Sequence, residues 1–152
     1  MRMITKDEAI AALRGDLEDK LTSAQRAYDL SHSGATSDQS KQESKYDTRG
    51  LEESYLANGL ARAVRDLQTA LADLDFCARQ APGAQVAVGH LVHCLRDGEQ
   101  VSFLLSHAGG GVEVSLQGVD ITIITPESPL AKQLIGKASG QRAAAFQVQA
   151  IL

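Results

Sequence analysis

The residues able to do chemistry are few, and most of them stand alone. Three carboxylates, Asp38, Glu43 and Asp47, lie in a polar stretch between two segments of apolar periodicity and are its main chemical content. His90, His93 and His107 could be read as metal ligands. On one strand His90 and His93 differ in parity and point to opposite faces, and no carboxylate or Cys–His cluster accompanies them. Cys77 and Cys94 lack the CxxC spacing of a metal or redox site, which fits a reducing compartment. The run Gly109-Gly110-Gly111 has no following helix and no Lys-Ser/Thr signature, so it reads as a loose turn and not as a phosphate cradle. Ser128 has no base at a recognisable spacing, and a hydrolase is not indicated. The residues therefore point to binding surfaces before catalysis.

The chain of 152 residues is long enough for one domain or two small ones and too short for a large α/β enzyme. It carries 15 basic and 19 acidic residues. Residues 1–80 hold 11 basic against 14 acidic, and residues 81–152 hold 4 against 5. Neither half presents the field of a DNA-binding protein, so direct DNA binding is not expected. No apolar run of about 18 residues and no signal peptide stands out, which predicts a cytoplasmic protein with no membrane contact.

Two long segments must position the carboxylates. Thr5 and Glu8 form a capping box, and the spacing predicts a helix from there to about Leu30. Its apolar positions, Ile10, Leu13, Leu17, Leu21, Ala24 and Tyr28, are separated by 3, 4, 4, 3 and 4 residues, the period of a coiled-coil seam. Gly15 costs this helix about 1 kcal/mol relative to alanine. The second segment repeats the pattern at Leu60, Val64, Leu67, Leu71, Leu74 and Ala78, with Asp66 and Asp73 placed off the seam. Two similar seams in one chain predict a monomeric antiparallel hairpin, each arm about 40 Å long at 1.5 Å per residue. The break between them begins at Ser31 and is rich in Ser, Thr and Gly, which discourage a continuous helix. Residues 1–80 are thus expected to form a coiled-coil domain with a polar tip near 31–49.

Ala81-Pro82-Gly83 ends the second helix and opens a linker over 81–85. Residues 86–152 read as a small β domain. Val86, Val88, His90 and Val92 alternate with small residues and predict a first strand. Arg96-Asp97-Gly98-Glu99 is a hairpin turn. Val101–Ser106, Val112–Leu116, Asp120–Thr125 and Ala145–Leu152 supply further strands. Ser128-Pro129 caps and opens a short helix to Ile135, with proline at its first position. Phe103 and Phe146 are the aromatic residues of this half, so Val, Ile and Leu must fill its core. The class is α+β.

The order of helical hairpin, Pro-Gly linker and hairpin strands precedes the run Ile124-Thr125-Pro126-Glu127-Ser128-Pro129-Leu130 and then Leu134-Ile135-Gly136-Lys137. This arrangement resembles the Gre-type transcript cleavage factors of bacteria. The N-terminal half is similar to a Gre-like subgroup through Glu43-Ser44-Lys45-Tyr46-Asp47-Thr48-Arg49-Gly50-Leu51-Glu52 and Ser54-Tyr55-Leu56-Ala57. The resemblance implies an N-terminal antiparallel coiled coil followed by an FKBP-like domain. That domain would dock at the rim of the RNA polymerase secondary channel through Ser128, Pro129, Leu130, Lys132, Gly136 and Lys137. The coil would reach inward, with Asp38, Glu43 and Asp47 helping to hold Mg²⁺ near a backtracked RNA 3′ end. The nuclease centre would be the polymerase's own, which makes this chain an accessory factor with no metal of its own. The family's tip reads Asp-Leu-x-Glu-Asn. Aligned on Tyr46, Gln39 and Gln42 stand at its two acidic places, and Asp38 and Glu43 lie one residue away. Two other readings stay open: a regulator that occupies the channel without promoting cleavage, and a coiled-coil adaptor unrelated to polymerase.

Overall fold

A computed structural model describes the backbone of residues 3–36 and 49–152, and the side chains of residues 3–31 and 56–152. The fold is α+β: two N-terminal helices followed by a C-terminal mixed sheet of six strands. Helix α1 spans Lys6–Thr36 and α2 spans Arg49–Arg79. The strands are β1 (Leu91–Arg96), β2 (Glu99–Leu105), β3 (Glu113–Leu116), β4 (Val119–Ile124), β5 (Arg142–Ala143) and β6 (Phe146–Ile151). A short helix, α3 (Pro129–Leu134), lies between β4 and β5. The chain divides into two compact units, Met1–Leu17 with Thr69–Leu152, and Glu18–Gln68.

In the first unit the capping box forms as its residues require. Thr5 Oγ1 accepts from the Glu8 N–H at 3.1 Å, and a Glu8 carboxylate oxygen accepts from the Thr5 N–H at 3.3 Å. Lys6 Nζ donates to the Gln80 carbonyl at 2.9 Å, and Arg14 pairs with Asp75 at 2.5 Å. The start of α1 therefore meets the end of α2, and the two run antiparallel here. Ala9, Ile10, Leu13, Leu17, Ala70, Leu74 and Cys77 are buried.

The sheet order is β3-β4-β2-β1-β6-β5, antiparallel throughout except for the parallel β2–β4 pair. Alternation gives it two apolar faces. Leu91, His93, Ser102, Leu104, Ile121 and Ile123 are buried on the face toward α1 and α2. Val92, Cys94, Phe103, Leu105, Ile124 and Val148 form one cluster with Ala131 and Leu134 of α3 on the other. Strands buried on both sides carry the near-continuous apolar runs seen at Leu91–Cys94 and Phe103–Leu105. Asp97-Gly98 (φ 52° and 81°) and Gln117-Gly118 (φ 52° and 80°) both have two left-handed central residues, the geometry that matches strand twist in two-residue hairpins.

Several expectations shift. Helix α1 continues past Leu30 to Thr36, because a Ser/Gly-rich stretch weakens a helix by roughly 0.5–1 kcal/mol per residue without forbidding it. The first strand begins at Leu91 and not at Val86. Gly89 sits at φ +99° in a turn, and Val86 instead exchanges hydrogen bonds with the Gly136–Lys137 segment. Toward the sheet, Cys77 is buried while Ala78 is exposed, since α2 there faces strands as well as α1. The three-glycine segment is anchored: the Gly111 N–H reaches the Ile123 carbonyl at 2.9 Å, and a Cβ on Gly109 would lie 3.1 Å from Ala70 Cβ. The small strand β5 was not expected.

In the second unit, Thr22 Oγ1 donates to the Glu18 carbonyl at 3.0 Å. Ala57 and Val64 are buried, and Leu21, Ala24, Tyr28, Leu60 and Leu67 are half-buried, which keeps the predicted seams on the covered side of each helix. Leu30 and Leu56 are largely exposed.

Candidate functional site

The Ser-Pro segment folds into one tightly tied unit. Ser128 is extended (φ −70°, ψ 148°), and its Oγ accepts from the Ala131 N–H at 3.2 Å, satisfying a donor the first helical turn leaves open. Pro129 follows at the first helical position, where its missing N–H costs nothing. Ala131 and Leu134 face the core, and Leu130 packs beside it. The Ile135 N–H closes on the Ala131 carbonyl at 2.9 Å. Gly136 then turns the chain at φ +89°, a value that favours glycine. Its N–H donates to the Val86 carbonyl at 2.8 Å, and the Val86 N–H returns to the Lys137 carbonyl at 2.9 Å.

Six residues singled out in the sequence are thereby gathered into one cap–helix–turn, with different tasks. Ser128, Leu130 and Gly136 build the element. Pro129, Lys132 and Gly136 are exposed, and Ser128, Leu130 and Lys137 are half-buried. Asp38, Glu43 and Asp47 lie outside the described residues.

A second constellation, not expected as such, joins α2 to the loop after β2. One carboxylate oxygen of Asp73 accepts from Ser106 Oγ and from the His107 N–H at 2.7 Å; the other lies 3.0 Å from His107 Nδ1. Burial works to raise the Asp73 pKa. The hydrogen bonds from Ser106 and His107, with the imidazole's charge, outweigh burial and hold it below the usual carboxylate value. The Phe76 and His107 rings lie 5.2 Å apart, and Cys77 Sγ contacts the Leu105 carbonyl at 3.6 Å. Burial pushes both thiols up to about 11, so neither is a thiolate at neutral pH. Ser106 and His107 share one acceptor and do not address each other, so this is a fastening and not a nucleophile with its base. Asp73 was legible only as a charge off the seam; an acidic residue between Leu71 and Leu74 is the signal that could have marked it.

His90 and His93 have structural partners. His93 is fully buried, with Nε2 at 2.7 Å from the Ile4 carbonyl and Nδ1 at 2.5 Å from Ser102 Oγ. A carbonyl can only accept, so Nε2 carries the proton and Nδ1 accepts from the serine. Burial lowers its pKa against the raising effect of the Ile4 carbonyl, favouring neutral imidazole. His90 Nε2 meets the Ala81 carbonyl at 2.9 Å and Nδ1 accepts from the Ala87 N–H at 3.0 Å, pinning the linker. Among the described residues, no group of three or more His, Cys, Asp or Glu side chains is placed to hold a metal.

The chain has neighbours among solved structures. It is similar to the crystal structure of GreA factor homolog 1 (Gfh1) of Thermus thermophilus, at 18% identity over 93% of this chain and 95% of that one, TM-score 0.32. It is also similar to Gfh1 of Thermus aquaticus, at 20% identity over 91% and 90%, TM-score 0.33. A further structure of the transcription factor Gfh1 gives 17% identity over 92% and 93%, TM-score 0.37. No family model and no curated protein matches the chain. Among the described residues, no helix is long and apolar enough to cross a membrane.

Proposed function

We propose that this protein is a Gre-like accessory factor that binds RNA polymerase at its secondary channel, with residues 86–152 as the FKBP-like docking domain and residues 1–80 as the coil that enters. The observation that carries this reading is the cap–helix–turn from Ser128 to Lys137. The segment that resembles Gre-type factors folds as one hydrogen-bonded element, tied to Val86, with Pro129 and Lys132 exposed. The chain acts in the cytoplasm as a monomer and brings no active centre of its own. Asp38, Glu43 and Asp47 are the residues through which the tip would share Mg²⁺ with the polymerase and act on a backtracked RNA 3′ end; hard carboxylate oxygens suit that ion.

One sequence observation favours a second reading, a factor that occupies the channel without promoting cleavage. Gln39 and Gln42 stand where the family's tip is acidic, and a shift of one residue turns a helical side chain by about 100°. Stalled elongation complexes with backtracked RNA separate the two. Stimulated cleavage that Asp38→Asn and Glu43→Gln abolish, with binding retained, supports the first. Competition against a cleavage-active Gre factor without cleavage at any Mg²⁺ concentration supports the second. An absence of polymerase binding removes both and leaves the coiled-coil adaptor.

A further inference from the structure

Helix α3 covers only part of its sheet face, and strand register shows what the rest carries. Cys94 stands opposite Val101, Arg96 opposite Glu99, and Val101 beside Asp120 of β4. Paired residues project to the same side of a sheet, so these side chains share the face on which Cys94 and Val101 pack with α3. Helix α3 follows the Ile124 end of β4, whereas Asp120 lies at that strand's start and Val101 near the start of β2. At this uncovered end is an open cavity of about 500 Å³, to which α3 contributes no lining residue.

The floor of the cavity is apolar. Val101 is half-buried and Phe103 buried, and the Phe103 and Phe146 rings meet edge to face with centres 5.1 Å apart. The rim is acidic. Asp97, Glu99 and Asp120 are exposed, and none has an ion-pair partner among the described residues. The cation of the lining, Arg96, places its guanidinium carbon 5.6 Å from the Phe146 ring centre. The aromatic floor thus already receives a guanidinium, and three carboxylates face a single positive charge. Phosphate and nucleic acid are disfavoured there, while a cationic side chain with an apolar stem finds both of its halves matched. The trough runs from β4 across β2 and β1 to β6. Three strand spacings make it about 14 Å wide, the length of roughly four extended residues.

We propose that this trough is a second binding site, for an extended peptide segment that sets an arginine among Asp97, Glu99 and Asp120 and an apolar neighbour on Val101 and Phe146. It lies apart from the Ser128–Lys137 element and does not depend on polymerase binding.

The test is fluorescence anisotropy of the full chain with a labelled acetyl-Gly-Leu-Arg-Leu-Gly amide at low salt. The same peptide with glutamine in place of arginine, and arginine amide alone as competitor, are the comparison probes. The variants are Glu99→Gln/Asp120→Asn and Arg96→Ala, with Glu127→Gln as a control before α3. The arginine peptide should bind wild type with a Kd below about 1 mM and weaken as salt is raised. The glutamine peptide, and the arginine peptide on Glu99→Gln/Asp120→Asn, should each bind at least about 10-fold more weakly. Glu127→Gln should match wild type. Arg96→Ala removes the guanidinium that competes for the ring and the carboxylates, so it should bind about 3-fold tighter. The substituted side chains are exposed, so melting transitions that match wild type separate lost binding from lost folding. No binding of the arginine peptide, equal binding of the glutamine peptide, or full binding by Glu99→Gln/Asp120→Asn overturns the inference. Arginine amide that competes as well as the unlabelled peptide marks a small-molecule site and overturns it too.

Discussion

Asp73 on α2 and His107 after β2 are joined twice, through the His107 backbone N–H at 2.7 Å and its Nδ1 at 3.0 Å, so one carboxylate fastens the end of a long helix to the sheet. The same carboxylate accepts from buried Ser106, and removing it strands a hydroxyl and an amide at once. Hydrogen bonds to a charged group contribute about 1.5–3 kcal/mol each, less where solvent reaches them. Asp73→Ala is expected to destabilise the fold by about 2–4 kcal/mol in denaturant unfolding. A loss below about 0.5 kcal/mol, the range of ordinary surface changes, would show the fastening to be incidental.

The same pair sets a pH dependence. The folded-state pKa of Asp73 is lowered, so its contribution is fully present above the unfolded value of about 3.8 and is lost as pH falls through the folded value. Asp73→Asn should flatten the stability profile in that acid window and leave the profile near neutrality unchanged. An unaltered acid limb in the variant would contradict the assignment.

His93 acts at higher pH. Its folded pKa lies below 6.5, so neutral imidazole is favoured in the fold and stability begins to fall as pH drops below that value. His93→Gln should lower stability at pH 7 by about 1–3 kcal/mol, since a buried hydrogen-bonded group is replaced. It should also flatten the slope just below pH 6.5. Equal slopes in wild type and variant would exclude His93 as the group responsible.

Much of this fold was legible because its signals are local. Thr5 and Glu8, Asp97-Gly98, and Ser128-Pro129 each specify a cap or turn through neighbouring residues, and each forms as read. The misread elements answer to distant partners. The strand expected from Val86 stops because Val86 pairs with Lys137 and because Gly89 must clear Phe76 of α2 and Gln80 just after it. Cys77 replaces Ala78 on the buried side because α2 meets strands at its end, a change that no periodicity within α2 encodes. At the candidate site, Ser128 and Pro129 announced the helix, whereas the packing of Ala143 against it depends on β5 pairing with β6.

Gly89 and Gly98 offer a matched test of that distant packing. Both have positive φ, at +99° and +81°, and an alanine at either carries the left-handed penalty of about 1–2 kcal/mol. A Cβ at Gly98 meets nothing within 4 Å, whereas one at Gly89 would lie 2.3 Å from Gln80 Cγ and 3.3 Å from the Phe76 ring. Gly89→Ala should therefore cost about 1–3 kcal/mol more than Gly98→Ala. Equal losses in thermal or denaturant unfolding would mean that α2 does not press on this turn.

The proposed docking on RNA polymerase through the element from Ser128 to Lys137 is tested most directly by co-purification with core polymerase. Full-length protein and a Ser128→Ala/Gly136→Val variant would be applied to immobilised core enzyme at low salt, with a Gre-type cleavage factor as competitor. The variant loses an N-cap contribution of about 1 kcal/mol and the glycine its turn requires. The account predicts that wild type is retained and displaced by the competitor, and that the variant, still folded by its melting transition, is retained far less. Failure of wild type to bind, or equal retention of a folded variant, would contradict it.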